Sequence, residues 1–594
     1  MLVDVCKKIV RNIIGNKSEY FNNKSYIITV ILLTTAFLLI TFGNKVNRYT
    51  NSDARCSILL SDTILTHRTI KLDHYGENFI NSQGYFIGKD LLVTQGYVIQ
   101  KKNGHYYYYF PIGTPIAIIP FVAIAKGFGF NIVQSEEAIQ IAIAAVISTL
   151  ILLFMIKLAQ LFVSYLHSII IASIFWFGTS LVSTCGTALW SHNLSTLFGL
   201  LAIYYTIKMT KNNNYNLWPV ISITLFAAYL CRPTMLLLYP FILFYIFTYN
   251  KRIVSLIVGL IVFHFFLFIS FSIYEFKQIL PDYYLPQRIS GSSFFQALYG
   301  NLLSPSRGLF IFSPFILFSW VCFYFSDKKW EIKKSWLLIA IAWPLLHLVA
   351  ISKFPHWWGG WSFGSRFMTE AIPGIFLLSI YTWPIKVKGK LSQIFIVLLI
   401  LSSVFSIYVN SIQGLYNPYT RFWNIKPDIQ RYPQYLFDWK CPQFIVTKKC
   451  FYNRLKRHVG KYHPEIKPSE ILDYKSEKIL FLGWYDDIED SYRLSSGLSS
   501  IYFNTNYSKD LFIGQIQINL RTLGKQKVTV LLNQREIYFN ELHFPSFQTI
   551  TIQFKPTLIR NGVNVIQFIL QDARKMDKDD PRIVGLALHS ISIK

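Results

Sequence analysis

An acidic side chain stands shortly after the first long apolar run of the chain. That run is Ser25 to Phe42, and Asp53 follows in Asn51-Ser52-Asp53-Ala54-Arg55, with Asp62 the next acid. A carboxylate held near a membrane surface can act as general base toward an acceptor hydroxyl; the structural alternative is that Asp53 caps the helix that follows. A second constellation is Lys353-Phe-Pro-His356-Trp357-Trp358-Gly359-Gly360-Trp361-Ser362-Phe363-Gly364-Ser365-Arg366. Glycines let backbone approach a ligand closely, tryptophan faces suit sugar rings, and the guanidinium fork of Arg366 matches phosphate. Interfacial tryptophans are also ordinary membrane anchors. His192, Arg232 and Arg307 stand near the ends of other apolar runs. Ionisable groups in such places are costly, which makes them functional candidates, with snorkelling to headgroups as the alternative. A tyrosine cluster, Tyr106, Tyr107, Tyr108 and Tyr109, leads into Phe110-Pro111-Ile112-Gly113.

Other chemistries lack their residues. The sequence has no His-Glu-x-x-His, no Cys-x-x-Cys, and no Walker or dinucleotide glycine loop, so neither a metal site nor a nucleotide motor is expected. The net charge of +27 comes without an arginine- or lysine-rich recognition module, so nucleic acid is not an expected partner. Basic loops beside anionic lipid account for it instead.

The elements that must position these residues follow from composition and hydropathy. Of 594 residues 52% are hydrophobic, 17% aromatic and 15% charged, against about 25% charged in a soluble domain. Apolar runs near 25–42, 137–156, 164–183, 191–209, 217–231, 233–249, 253–275, 309–325, 335–352, 368–385 and 391–412 predict a polytopic α-helical membrane protein of about eleven transmembrane helices. The first run, preceded by Lys7, Lys8, Arg11, Lys17 and Lys24, reads as a retained signal anchor, with a cleaved signal peptide as the alternative. The segment from Gly113 to Phe130 holds two prolines and Lys126 and reads as an interfacial or re-entrant helix. With the N-terminus inside, the basic loops Lys208–Lys211, Lys251–Arg252, Lys328–Lys334 and Lys386–Lys390 are cytoplasmic. The long loop 43–136 and everything after 412 then face outward. Residues 413–477 form a polar connecting segment, in which Cys441 and Cys450 are close enough in sequence for a disulfide. Residues 478–594 alternate with period two, in Leu511–Leu520, Lys527–Leu531, Gln548–Phe554, Val563–Leu570 and Leu588–Ile593, and predict an extracytoplasmic antiparallel β-sandwich.

Taken in order, these elements resemble the GT-C superfamily of integral-membrane glycosyltransferases, and more closely the bacterial relatives of protein O-mannosyltransferases and of the lipid A aminoarabinose transferase. Asp53 takes the place of the acid that follows the family's first helix, and Tyr106–Pro115 that of its tyrosine- and proline-rich loop end. Ser304–Leu309 matches a Ser-Pro-x-Arg-Gly-Leu stretch, and Trp357–Arg366 a Trp-Trp-Gly-Gly-x-x-x-Gly-x-Arg stretch. The chain departs from the family in having Pro111-Ile112-Gly113 for a doubled proline and a lone Asp for an Asp-Glu pair, so the base stays open between Asp53 and Asp62.

The resemblance implies a GT-C-like transmembrane domain over 1–412. It implies a glycosyltransferase of the bacterial inner membrane that moves a sugar from polyprenyl phosphate to an extracytoplasmic hydroxyl with inversion. The acceptor would be glycan, lipid or protein. Arg366, Arg307 and Arg232 would hold the donor phosphate, and Tyr106, Tyr107, Tyr108, His192, Trp357, Trp358, Gly360 and Trp361 would position sugar or prenyl chain among membrane lipids. No cofactor is expected, since the lipid-linked sugar is a substrate. A non-catalytic lipid-linked sugar flippase or polysaccharide export component is the alternative.

Overall fold

A computed structural model describes residues 23–43, 46–76, 98–289, 291, 293–322, 333–384, 390–489, 492–505, 513–575 and 582–594. The basic N-terminal residues Lys7 to Lys17 and most of the loops 328–334 and 386–390 lie outside the described residues. The chain divides into two compact units, Met1–Asn424 with Pro433–Val446, and Ile425–Tyr432 with Thr447–Lys594.

The first unit is helical, and it corrects the expectation of eleven spans. Among the described residues three helices are long and apolar enough to cross a membrane: Glu136–Gln160, Lys251–Phe276 and Lys390–Tyr416. The other apolar runs are cut into shorter pieces by residues that hydropathy averages over. Runs 217–231 and 233–249 meet at Arg232-Pro233 as expected, the first as the helix Trp218–Cys231, but the second is divided into a 3-10 segment Pro233–Leu238 and a short helix Tyr239–Phe247. Run 309–325 breaks at Ser313-Pro314 into Leu309–Phe312 and Phe315–Val321. Run 164–183 breaks between Gly178 and Ser180, and run 368–385 opens as the 3-10 turn Arg366–Ala371 before the helix Ile372–Thr382. Proline removes an amide donor and clashes with the preceding turn, so such breaks are expected where it occurs inside an apolar stretch. Helix Ser191–Lys211 has the length but opens on Ser-His-Asn and closes on lysines.

Much of the apolar content is spent on the interior of this unit. Ile171, Ala172, Phe175, Trp176, Ile203, Ile242 and Phe376 are fully or almost fully buried in one cluster. Two of the long helices differ: only 22% of the apolar window of Lys251–Phe276 and 33% of that of Lys390–Tyr416 is buried. Phe263 and Phe266 on the first and Ile400, Leu401 and Val404 on the second therefore point outward, an exposure that calls for an apolar environment. The Gly113–Phe130 segment forms the helix Gly113–Gly127 with Pro120 inside. Its first residue must be glycine, because a Cβ there would come within 2.4 Å of the Leu230 backbone. The preceding hairpin pairs β1, Ile99–Lys102, with β2, His105–Tyr108.

The second unit contains β3 (Ile471–Asp473), β4 (Ile479–Glu489), β5 (Tyr492–Thr505), β6 (Gln515–Thr522), β7 (Gln526–Leu532), β8 (Arg535–Leu542), β9 (Gln548–Gln553), β10 (Gly562–Leu570), β11 (Arg574–Lys575), β12 (Ile583–Val584) and β13 (Leu586–Ile593). Here too the expectation is corrected. Instead of two facing sheets, nine strands form one hydrogen-bonded antiparallel sheet, in the order β8-β7-β10-β5-β13-β6-β9, with β3 on β13 and β4 on β5. The physical reason is the length of β5. Its residues 498–505 pair with β10 and its residues 493–494 with β13, so one strand stitches both halves into a continuous ladder. Bulges at Leu482/Trp484, Val530/Leu531 and Leu588/Ser590 bend the sheet. Its inward residues, among them Ile518, Val530, Phe503, Ile566 and Leu588, then share one core. Cys441 and Cys450 are disulfide-bonded, while Cys56, Cys185, Cys231 and Cys322 are free and buried.

The amphipathic helix Lys448–Tyr462 packs Phe451, Leu455, His458 and Val459 inward. Burial, with His463 and Arg454 alongside, pushes His458 down to about 3. The unfolded chain protonates this imidazole near pH 6.5 and the folded chain does not. Stability of the second unit should thus fall as pH drops from about 6.5 to about 3. Protection factors of the β10 amides, taken relative to their intrinsic exchange at each pH, should fall over that window, and His458→Gln should flatten the dependence.

Candidate functional site

The site is built around Asp53. The turn carrying it is held from several sides before the helix Ser57–His67 begins. Asn47 Nδ2 donates to the carbonyls of Gly414 and Asn417 at 3.1 and 2.8 Å, and Tyr49 N–H donates to the Thr187 carbonyl at 2.9 Å. Cys56 adopts a left-handed conformation, φ 66°, and its N–H donates to Glu136 Oε1 at 2.6 Å. The Tyr108 hydroxyl donates to the Asp53 carbonyl at 2.9 Å, which ties the tyrosine hairpin to this turn. Asp53 does not act as the helix cap, a position that Cys56 occupies without a side-chain bond.

With its backbone pinned, the Asp53 carboxylate pairs with the Arg366 guanidinium. Arg366 opens the 3-10 turn Arg366–Ala371, and each part of its fork is engaged. Nε donates to His192 Nε2 at 3.1 Å, Nη1 donates to the Gly359 carbonyl at 3.1 Å, and the guanidinium lies 3.8 Å from the Trp190 ring centre. A planar cation stacked on one ring and hydrogen-bonded along its edges has one orientation available. The Asp53 side chain is 25% exposed against 7% for Arg366, so the carboxylate is the member of the pair that a substrate can reach.

Behind Arg366 lies a buried cluster. Arg232 Nη1 also donates to His192 Nε2, at 3.1 Å, and its Nε lies 2.5 Å from Glu370 Oε1. His192 Nδ1 lies 2.7 Å from the same oxygen. Because both guanidinium groups can only donate, Nε2 of His192 must offer its lone pair, which leaves the imidazole proton on Nδ1 facing Glu370. Ser195 Oγ reaches Glu370 Oε1 at 3.4 Å, and His347 Nε2, bonded to the Phe367 carbonyl at 2.8 Å, lies 3.8 Å from Oε2. Two carboxylates and two guanidinium groups thus alternate through one imidazole: Asp53, Arg366, His192, Arg232 with Glu370. Tyr49 packs against Trp190 with centroids 6.1 Å apart; burial pushes its phenol up to about 12, so it stays protonated at neutral pH.

The structure distributes the other sequence candidates differently. Asp62 sits on Ser57–His67 and pairs with Lys126 at 2.8 Å, with Thr66 as a second neighbour. It has no contact with the arginine cluster among the described residues, which separates the two candidate bases. Arg307 is 2% exposed and spends all five N–H groups on neutral oxygens: the carbonyls of Trp358, Gly360 and Ser306, and the side chains of Gln443 and Asn424, at 2.6 to 3.0 Å. It is a pin for the tryptophan-glycine loop rather than a free anion ligand. Arg307 and Arg366 together hold three successive carbonyls, those of Trp358, Gly359 and Gly360, which requires the positive φ of 69° and 65° at the two glycines. Arg307→Lys keeps the charge but not the fork, and should lower the unfolding temperature by several degrees and slow any turnover through the loop. Unchanged melting would remove the pin from this account.

Of the sequence-predicted hairpin tyrosines, Tyr108 is the one that bonds to the Asp53 turn among the described residues. Tyr106 N–H donates to Asp73, and its hydroxyl accepts from Lys101 at 3.2 Å; Tyr107 packs on Phe276 with centroids 4.9 Å apart. Trp357 is buried against Gly300 and Phe437, Trp358 packs tilted on His356 with a buried indole N–H that has no acceptor among the described residues, and Trp361 is exposed. Sequence reasoning missed Glu370, although it is the sole acid of the 368–385 run and an ionisable group in an apolar stretch is a signal in itself. It also missed Trp190 and Arg288. The guanidinium of Arg288 lies 3.8 Å from the Tyr283 ring centre and 5.6 Å from that of Tyr109. Arg288 also lies 5.4 Å from Phe354, which packs on Phe367, the ring beside Arg232. Among the described residues no group of three or more His, Cys, Asp or Glu is arranged to hold a metal ion.

Comparison with protein-family models and with curated proteins gives no match. Among solved structures, a glycoside hydrolase family 43 arabinoxylan arabinofuranohydrolase from Bacillus subtilis, in complex with cellotetraose, is similar over 22% of this chain and 28% of its own length, at 9% identity and a TM-score of 0.16. A likeness that slight carries no argument about this chain.

Proposed function

We propose that the protein is a membrane glycosyltransferase that uses a polyprenyl-phosphate-linked sugar and acts at the extracytoplasmic face of a bacterial inner membrane. The observation that carries this reading is the pairing of Asp53, on the turn after the first apolar helix, with Arg366 at the end of the tryptophan-glycine loop. The GT-C-like motifs in the sequence offer Asp53, beside Asp62, as a base and Arg366 as a phosphate ligand. The two outward-facing apolar helices support a lipid setting, and the disulfide at Cys441 and Cys450 supports an oxidising compartment for that part of the chain.

The chemistry follows from the charges. The donor is a phosphodiester, so its anion competes with the Asp53 carboxylate for Arg366. As the phosphate takes the guanidinium, the carboxylate is released toward the acceptor hydroxyl. The hydroxyl oxygen forms a bond to the anomeric carbon, the bond from that carbon to the phosphate oxygen breaks, and the hydroxyl proton passes to Asp53. The leaving polyprenyl phosphate gains a negative charge, which Arg366 is placed to stabilise. Arg232, His192 and Glu370 hold Arg366 in position from behind. Arg288 is the half-exposed guanidinium near the cluster and takes the second phosphate-binding role in place of Arg307.

Purified protein in detergent, given a short-chain polyprenyl-phosphate hexose or pentose and acceptor extract from the cell envelope, should release polyprenyl phosphate. Movement of labelled donor across a liposome bilayer without release would replace this reading with the flippase.

A further inference from the structure

The second unit carries a cleft of about 260 Å³ lined by Arg521, Thr522, Leu523, Gly524, Arg574 and Val584. Two guanidinium groups face it from different strands, Arg521 at the end of β6 and Arg574 on β11. Arg521 lies beside two rings that pack on each other, 4.7 Å from the Tyr492 centroid and 5.4 Å from that of Phe547, while its Nε is buried with no hydrogen-bond acceptor among the described residues. Arg574 packs over Gly524, where an added Cβ would come within 2.6 Å of Nη2, and its guanidinium has no ion pair or hydrogen bond among the described residues. Two acids of this region that the structure describes are engaged elsewhere: Asp572 accepts the Lys527 N–H at 3.0 Å, and Glu541 pairs with Lys525 at 3.5 Å. Thr522 Oγ1 accepts the Phe544 N–H at 2.8 Å, which leaves its own proton to donate.

Two cations sharing one concavity with no carboxylate among its described lining residues repel each other, and an anion between them removes that cost. Guanidinium forks match the two oxygens of a carboxylate or phosphate. The volume lies just below the roughly 300–1,000 Å³ of drug-sized ligand pockets, so it admits one small body rather than a chain. Leu523 and Val584 supply an apolar floor beside the charges, suited to a sugar ring face. We propose that this cleft binds an anionic sugar, a monosaccharide-sized group bearing a carboxylate or a phosphate. The proposal stands on the second unit alone and does not depend on transfer chemistry in the first.

The test uses the full-length protein in detergent, titrated calorimetrically with glucuronate, glucose 1-phosphate, inorganic phosphate and glucose. Glucuronate or glucose 1-phosphate should bind, with the tighter of the two identifying the anionic group, and glucose should not. Arg574→Gln, a change at an exposed position, and Arg521→Gln should each weaken that binding about tenfold. Arg521→Lys should recover part of the loss, which a merely misfolded sheet would not. Binding that survives both Gln variants, equal affinity for glucose or for inorganic phosphate, or no binding by either anionic sugar overturns the proposal.

Discussion

Asp53→Asn should lower the rate of sugar transfer by roughly 10²–10⁴-fold, the usual contribution of a positioned general base, with donor binding retained or improved. The asparagine is close to isosteric and can still accept from Arg366, so the turn pinned by Asn47, Glu136 and Tyr108 should keep its conformation. What it loses is the ability to take a proton and the charge that competes with the donor phosphate. The measurement is single-turnover release of polyprenyl phosphate alongside donor affinity. A separate loss of donor affinity in Arg366→Lys, with its fork removed, would complete the assignment of roles. Full activity in Asp53→Asn would sink the mechanism. Asp62→Asn serves as the comparison, since Asp62 pairs with Lys126 away from the cluster, and should be near normal.

The second large effect is on stability. Glu370 is fully buried and stands against Arg232, His192 and His347. Removing it as Glu370→Leu leaves the Arg232 cation and the imidazole proton of His192 without a compensating anion. Breaking a buried pair from one side costs roughly 3–5 kcal/mol, whereas replacing both partners by apolar residues of similar volume is often neutral. Glu370→Leu should therefore melt many degrees below the parent protein in detergent, and Glu370→Leu combined with Arg232→Met should recover most of that loss. Activity should separate from stability in the double variant. The fold returns, but Arg366 loses the Arg232–His192 support that orients it, so turnover stays low. If the double variant is as unstable as the single one, the two residues are not energetically coupled.

How far the sequence alone reaches differs between the two units. In the second, period-two alternation marks the segments that become β6, β7, β9, β10 and β13, because a half-buried strand must alternate. Closure into a single sheet was not legible, since alternation is local and the stitching by β5 depends on which strands its two halves meet. In the first unit, apolar runs identify helical segments but overstate the number that can cross a membrane. Hydropathy averages pass over Ser313-Pro314 and the Gly178–Ser180 break, and they score an apolar side chain alike whether it meets lipid or a neighbouring helix.

The candidate site shows the same division. Residue types and order along the chain single out Asp53, Arg366, Arg232 and His192, because ionisable groups beside apolar runs are costly and stand out. Order along the chain does not say which of them touch. Arg307 and Arg366 both carry the sequence marks of a phosphate ligand, yet one is saturated by five neutral oxygens and the other faces a carboxylate. Asp53 and Asp62 look alike as bases, and only the path of the turn before Ser57 sends one toward the arginines and the other toward Lys126. Sequence determined which charged groups this protein keeps in apolar surroundings; tertiary packing decided their partners. The reason is physical: desolvation cost is a property of a residue and its local stretch, whereas a charge is satisfied by whatever the fold brings within about 3 Å of it.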